Sequence, residues 1–524
     1  MATAPARRRA LSDLRVRPLG AVGKTVLALS LLTLASLFFR TRELGAAYWI
    51  DEGLSWGIAS HHLTSIPHVL RFDGSPPLYY LMLHVWMRFF GTTEQATHVL
   101  SLIPALATIP VGWWAARSLF SERAAWFTAP LFAFNTYLTT YAQETRMYSW
   151  MVLFSLLGTA CFIHAFVFRR RAYLIGFALS IAAMLYTHNW ALFFIAAALT
   201  ALAVLLRQAE PGDERRALLK DGLYSFGGAL ILFLPWLPNF IFQARHTGAP
   251  WSTPPSLHSL RVAASMTVDG DRMAVAILLG AGAGLAAMIG RDRPKLERRA
   301  TIAGLVLFFG TLMWAFIGSQ ISPAWAYRYF AAFVGPMLLM AGVGLSRAGK
   351  LGIVATALIL AFWIPFQSIA HKSIDRHVMW TATPLLKRGD LVIVAHPEQM
   401  AVVNYYAPKG LRWANEMGPV KDPTYMNWVD AMSRLKAATP QKNLDPLIAN
   451  MKPGQHVLLL RPIVTGTGGW GAPWTSLVRQ RSADWARALE HDPRFKLTRR
   501  LPHLRADYHP KGLRALIFTR VNTG

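Results

Sequence analysis

Five short segments of this 524-residue sequence place ionisable side chains in strongly apolar surroundings, where charge is costly and calls for a reason. Asp51 and Glu52 lie in AYWIDEGLSW and Asp73 in RFDGSPPLYY. Glu144 and Arg146 lie in YAQETRMYSW, His188 in YTHNW and Arg328 in AWAYRYF. A guanidinium neutralises a phosphate through paired hydrogen bonds. A carboxylate takes the proton of an attacking hydroxyl as general base. The carboxylates Asp73 and Glu144 and the imidazole of His188 are also ordinary ligands for a divalent metal ion. Together these groups suit displacement of a lipid phosphate from a sugar carbon at a membrane surface.

Such chemistry requires all five segments on one side of one membrane. The composition supplies the membrane: 53% of residues are hydrophobic and 15% charged, against about a quarter charged in a soluble domain. Apolar runs long enough to cross a bilayer are expected at about 23–41, 95–117, 124–142, 147–168, 172–187, 189–206, 222–243, 273–290, 301–320, 327–346 and 350–370. This gives about eleven transmembrane helices after a cytoplasmic tail, 1–22. The first run is too long for a secretory leader and is read as an uncleaved helix. With the N-terminus inside, every inner connection carries Arg or Lys, the positive-inside pattern. The five chemical segments then all fall on the outer face. An odd number of spans also sends the C-terminal part outside, so the expected location is the inner (plasma) membrane with the site facing outward.

The net charge of +27 raises nucleic acid as a partner. Its alternation between loops argues for orientation in a membrane instead, and a basic tail suits anionic lipid head groups or phosphorylated substrates. The single cysteine, Cys161, excludes an intrachain disulfide and a thiolate zinc site.

Two outer segments are long. Residues 42–94 hold two amphipathic stretches, IDEGLSWGIASHHL and PPLYYLMLHVWMRFFG, read as helices lying in the interface. Residues 244–272, rich in Pro, Ser and Trp, read as a mobile loop. Beyond 370 the apolar runs stop. Short β-like runs at 390–395, 456–461, 495–501 and 513–521 alternate with helical patterns at 397–406 and 474–490, predicting a small α/β domain with a partly parallel sheet over 371–524. The glycine-rich run 465–473 opens no clear helix and reads as a flexible loop. His61, His62, His68 and His84 read as surface residues.

The order of the motifs resembles the GT-C fold glycosyltransferases of the protein-mannosyltransferase and aminoarabinose-transferase type (glycosyltransferase family 39-like). Asp51–Glu52 lies in the first outer loop, Pro76 to Tyr80 leads into an interfacial helix, Glu144 to Tyr148 forms a turn, and Arg328–Tyr329 opens a late helix. The match covers about residues 20–370. The resemblance implies inverting transfer from a polyprenyl-phosphate sugar to a glycolipid, a cell-envelope glycan or a protein. Asp51 is then the base, and Arg146 and Arg328 hold the donor phosphate beside Tyr148 and Tyr329. Glu52 and Glu144 support the site or bind acceptor. Relatives often have histidine before Pro-Pro, where this sequence has Ser75, which leaves Asp73 and His188 as the pair suited to a divalent metal. No other cofactor is implied.

Plainer readings stand beside these. Asp51 and Glu52 are the carboxylates a helix N-terminus favours, Glu144 and Arg146 make an ion pair within their loop, and His188 hydrogen-bonds a backbone carbonyl in its turn. Arg328, Tyr148 and Tyr329 are interface anchors. The rival functions are a transporter or flippase of a lipid-linked substrate, or an inactive scaffold. Transporters concentrate polar groups near the midplane in repeated halves, and this sequence shows neither feature.

Overall fold

In a computed structural model, the chain forms a helical membrane unit capped by a soluble α/β domain. The structure describes residues 20–290, 292–365, 372–464, 471–501 and 511–522. Most of the tail 1–22 and most of the glycine-rich run lie outside these. Among the described residues, seven helices are long and apolar enough to cross a membrane, or eight if one bent pair counts as a single span. Two shorter apolar helices, Tyr173–Thr187 and Gly349–Trp363, accompany them.

Each expected span falls on a helix or a helix pair, and the departures have local causes. The span expected at 124–142 divides into Glu122–Phe134 and Thr136–Ala142. Asn135 between them is extended, and its Oδ1 accepts the Leu138 N–H at 3.1 Å, a side-chain cap that starts a new helix. The span expected at 222–243 begins at Asp213 and bends by 75° between Phe233 and Leu237, where Pro235 offers no N–H to the ladder. The region read as a mobile loop, 244–272, contains the helix Leu257–Thr267, with Ser256 and Ser259 capping each other's backbone N–H.

The late helix Ala331–Arg347 is buried from Ala331 through Ser346. It packs against Tyr148–Phe162, Glu122–Phe134 and Asp271–Ile289. It is therefore the hub of the bundle, and the 3-10 turn Tyr327–Phe330 that carries Arg328 is built on its rigid end.

The segment after the first span holds three helices: Ile50–Ala59, Ile66–Asp73 and Leu78–Phe90. The third exposes Val85, Phe89 and Phe90 while burying Tyr79, Tyr80 and Leu83, as an interfacial helix should. The first behaves differently from expectation. Its outer face packs on the soluble domain instead of lipid, with Ile50 and Leu54 clustered beside Ala401, Trp428 and Trp474. The histidines read as surface residues include two with partners far along the chain. His84 is buried with Nδ1 2.9 Å from the Ala59 carbonyl, and His61 pairs with Asp422 at 2.8 Å.

Among the described residues, the soluble domain has six strands: β1 (Leu391–Val394), β2 (Arg412–Asn415), β3 (Gly418–Pro419), β4 (His456–Val464), β5 (Phe495–Arg500) and β6 (Lys511–Arg520). Their order is β3-β2-β1-β4-β6-β5. β1 runs parallel to β2 and β4, and β6 runs antiparallel to β4 and β5. All four residues of β1 are buried, because helices cover both faces of this parallel centre. Val378 and Met400 pack on one face, Trp485 and Leu489 on the other.

The docking of this domain on the membrane unit depends on close backbone approach. A Cβ on Gly53 would lie 2.5 Å from the backbone of Val402, and one on Gly57 would lie 1.9 Å from the Thr424 carbonyl oxygen. Gly57→Ala is therefore expected to destabilise the docked arrangement by about 1–3 kcal/mol. The check is thermal unfolding together with faster proteolysis between the two units. An unchanged melting temperature would contradict the tight seam.

Candidate active site

Asp51 and Glu52 are the second and third residues of the Ile50–Ala59 helix. Neighbours on a helix point about 100° apart, so one faces outward and the other inward. Asp51 takes the outward place and lines a cavity of about 560 Å³. Its Oδ2 lies 3.0 Å from Arg328 Nε, but among the described residues neither atom has an aligned hydrogen bond. The two charges therefore touch without locking. The Arg328 guanidinium lies 5.1–5.5 Å from the ring centres of Trp49, Trp251 and Tyr329, a desolvated aromatic setting that strengthens its hold on an anion.

Arg146 enters from the turn after Thr136–Ala142 and also lines the cavity. Its Nη1 donates to Ser55 Oγ at 2.9 Å, the Asp51 carbonyl at 3.2 Å and Tyr80 Oη at 3.3 Å. Its Nη2 donates to Tyr148 Oη at 3.4 Å. Tyr80, from the Pro-Pro-Leu-Tyr-Tyr stretch, and Tyr148 thus orient the guanidinium. Tyr148 itself stands behind the wall, while Tyr329 is part of it.

Glu52 turns inward and is fully buried. Its carboxylate accepts from Lys372 Nζ at 2.9 Å on both oxygens and from the Thr145 N–H at 2.8 Å. His98 Nε2 lies 2.6 Å from Oε1, and the Trp49 N–H closes the helix start at 3.2 Å. Lys372 also donates to the Gln143 carbonyl at 2.7 Å. Burial alone would raise this carboxyl, but Lys372 and His98 bring it down to about 2. The arrangement supports the site and leaves Glu52 no oxygen facing an acceptor.

Glu144 is buried as well and does not line the cavity. Burial lifts its carboxyl to about 8, against the pull of Lys372 and with Glu52 and Asp51 adding to the rise. Burial thus favours its neutral form, and the ion pair with Arg146 weighed from sequence does not form. Asp73 lines the cavity, with burial raising its carboxyl to about 6 while Ser75 and Arg146 act to lower it.

His188 also faces the cavity. Desolvation, Arg146 and Arg328 push it down to about 3, so the imidazole is neutral. Its Nδ1 accepts the Trp190 N–H at 3.1 Å, so it steadies its turn through a backbone N–H and not through the backbone carbonyl expected from sequence. Among the described residues, no three His, Cys, Asp or Glu side chains gather as metal ligands. With His188 committed to its turn, Asp73 and His188 make an incomplete donor set, and the chemistry below is derived from the chain's own groups.

The cavity wall has two parts. Leu192, Phe193, Phe240 and Gly318 come from membrane helices, whereas His396, Glu398, Trp428 and Thr475 come from the soluble domain. Asp51, Arg146 and Arg328 belong to the same cavity. The second group has no signal in the sequence, because nothing in the tail forms a motif.

The model for the family described as dolichyl-phosphate-mannose-protein mannosyltransferase matches residues 74–241. That segment holds Pro76 to Tyr80, Glu144 to Tyr148 and His188, but neither Asp51 nor Arg328. No curated protein matches the chain by sequence. Among solved structures, ArnT from Cupriavidus metallidurans in the apo state aligns with a TM-score of 0.59 at 13% identity, over 95% of this chain and 98% of that one. The same protein bound to undecaprenyl phosphate gives 0.57 at 13% identity, over 96% and 99%. The archaeal oligosaccharyltransferase AglB from Archaeoglobus fulgidus, in complex with an inhibitory peptide and a dolichol-phosphate, gives 0.50 at 13%, over 83% and 69%. The chain is a multi-pass membrane protein with the GT-C glycosyltransferase fold.

Proposed function

We propose that this protein is an inverting glycosyltransferase that moves a hexosyl or pentosyl group from a polyprenyl-phosphate donor to a hydroxyl on the outer face of the inner membrane. The acceptor classes that fit are a glycolipid, a cell-envelope glycan and a protein. The observation that carries the reading is one cavity in which the Asp51 carboxylate meets Arg328 at 3.0 Å, with Arg146 on the same wall. The structural likeness to a protein solved with undecaprenyl phosphate supports the donor class.

The chemistry follows from these groups. The acceptor O–H attacks the anomeric carbon and its proton passes to Asp51. The bond from that carbon to the phosphate oxygen breaks on the opposite face, and the electron pair leaves with the phosphate. A phosphate departs as an anion without needing an acid, so one carboxylate suffices. Arg146 and Arg328 stabilise the charge that grows on the leaving group. The loosely aligned contact of Arg328 with Asp51 leaves its donors available to exchange the carboxylate for phosphate oxygens.

The test is transfer in liposomes from radiolabelled polyprenyl-phosphate sugars to a membrane extract, with and without EDTA. Transfer by the wild type that is lost in Asp51→Asn is the expected result, and transfer retained in EDTA shows that no metal is needed. Absence of transfer with every donor would favour lipid-linked transport. In the same assay Arg328→Lys, which keeps the charge but loses the planar fork, is expected to raise the donor KM about tenfold. An unchanged donor KM would remove Arg328 from the phosphate site.

A further inference from the structure

The proposed chemistry gives no task to the part of the cavity wall built by the soluble domain. Glu398 stands there, only 7% exposed. Its Oε1 accepts from Trp474 Nε1 at 2.8 Å, and its Oε2 lies 3.1 Å from His396 Nε2. Burial alone would raise the carboxyl, but His396 overrides it and holds Glu398 below the ordinary value, so it is an anion at neutral pH. Its Oε2 is buried against His396 and has no aligned hydrogen bond among the described residues.

Trp428 lies beside it, with ring centre 5.2 Å from that of Trp474. The Trp428 backbone N–H donates to the Phe72 carbonyl at 2.9 Å, which ties the loop that carries this indole to the residue before Asp73. Ile50 and Leu54 belong to the same cluster as Trp428, and Asp51 follows Ile50 directly. The soluble-domain wall therefore adjoins the proposed base.

The topology of the sheet points to the same place. β1 is followed along the chain by β2 on one side of it and is flanked by β4 on the other, both parallel to it. This is a switch point, and ligands of α/β sheets bind past the carboxyl ends of the strands there. His396 and Glu398 are the second and fourth residues beyond β1.

We infer that the soluble domain supplies the acceptor subsite of the transferase and that the acceptor is a carbohydrate. This rests on the transferase reading. A fixed anionic carboxylate accepts hydrogen bonds from sugar hydroxyls, and an indole offers an apolar face to a pyranose or furanose ring. An open strand edge is one means of gripping a peptide backbone, and among its described residues this wall does not offer one. The edge strands of this sheet are β3 and β5, whereas these wall residues follow the central strand β1, or lie in the loop at 428 and at the start of the helix Pro473–His491.

The test uses the full chain in nanodiscs. The probes are methyl glycosides of mannose, glucose, galactose, N-acetylglucosamine and arabinose, with an acetylated Ser/Thr peptide amide as the other class. Binding is followed by saturation-transfer NMR and acceptance by label transfer. At least one glycoside is expected to bind and accept label. Glu398→Gln, which keeps an oxygen for Trp474, and Trp428→Phe are each expected to weaken it about tenfold in binding and in acceptor KM, with donor KM unmoved.

Use of the peptide and no glycoside overturns the inference. So does absence of glycoside binding, or equal binding and acceptor KM in both variants and the wild type. Glycoside binding that weakens in Glu398→Gln while no donor supports transfer would instead overturn the transferase reading and leave the sugar site standing.

Discussion

Asp51→Asn is expected to lower sugar transfer about a thousandfold while the purified variant still binds polyprenyl phosphate, since a positioned general base contributes roughly 10²–10⁴ in rate. The amide keeps the size of the carboxylate and its place on the Ile50–Ala59 helix, so the cavity is preserved. What it loses is the ability to take a proton from the acceptor hydroxyl. It also loses the negative charge 3.0 Å from Arg328 Nε. That guanidinium then faces the donor phosphate without a competing carboxylate, so donor affinity is expected to stay level or to rise. Loss of turnover with tighter or equal donor binding is a pattern that a transporter or scaffold, doing no chemistry at Asp51, has no reason to show. Equal transfer by the two proteins would remove Asp51 as the base. Equal losses of transfer and donor binding would place it in the phosphate site instead.

Much of this site was legible because its residue types are expensive at a membrane surface. Asp51, Asp73, Arg146, His188 and Arg328 announce themselves in apolar sequence, and all five line one cavity. The positive-inside pattern places them together before any contact is known. Local sequence does not say which member of a pair faces the cavity. In Asp51–Glu52 helical geometry demands that the two point apart, and only the tertiary partners decide that Glu52 is the inward one. Those partners, His98 and Lys372, stand 46 and 320 residues away in segments with no motif.

The same limit hid the soluble-domain wall. His396, Glu398 and Trp428 are ordinary residues of an α/β domain until the sheet sets them beside the Ile50–Ala59 helix. Gly53 and Gly57 carry that docking, yet in sequence they are unremarkable breaks in a helix. The helix at Leu257–Thr267 was missed because flanking Pro and Ser residues outweighed an eleven-residue pattern that tertiary packing sustains.

Lys372→Met is expected to destabilise the protein by about 3–5 kcal/mol, because removing one partner of a buried ion pair leaves the other charge uncompensated. Lys372 is 5% exposed at its side chain and Glu52 fully buried, so water does not replace the lost ammonium. The damage should reach the site, since Glu52 also accepts the Thr145 N–H next to Arg146, and transfer should fall with stability. The double variant Lys372→Met, Glu52→Gln removes both charges, and its amide oxygen still accepts from Thr145. It is expected to recover most of the loss.

The pH dependence follows from the direction of the Glu52 shift. Its carboxyl, held at about 2 against an ordinary 4.5, contributes stability that is fully present above 4.5 and fades as pH falls toward 2. Without Lys372, burial raises this group, and the cost of its charge grows above 4.5 and vanishes below. The gap in melting temperature between wild type and Lys372→Met should therefore be widest at neutral pH and narrow near pH 4. A gap that is constant with pH, or a double variant no more stable than the single one, would mean that Lys372 acts through packing alone. Either result would remove the ion pair as the clamp that holds the Asp51 helix against the Arg146 turn.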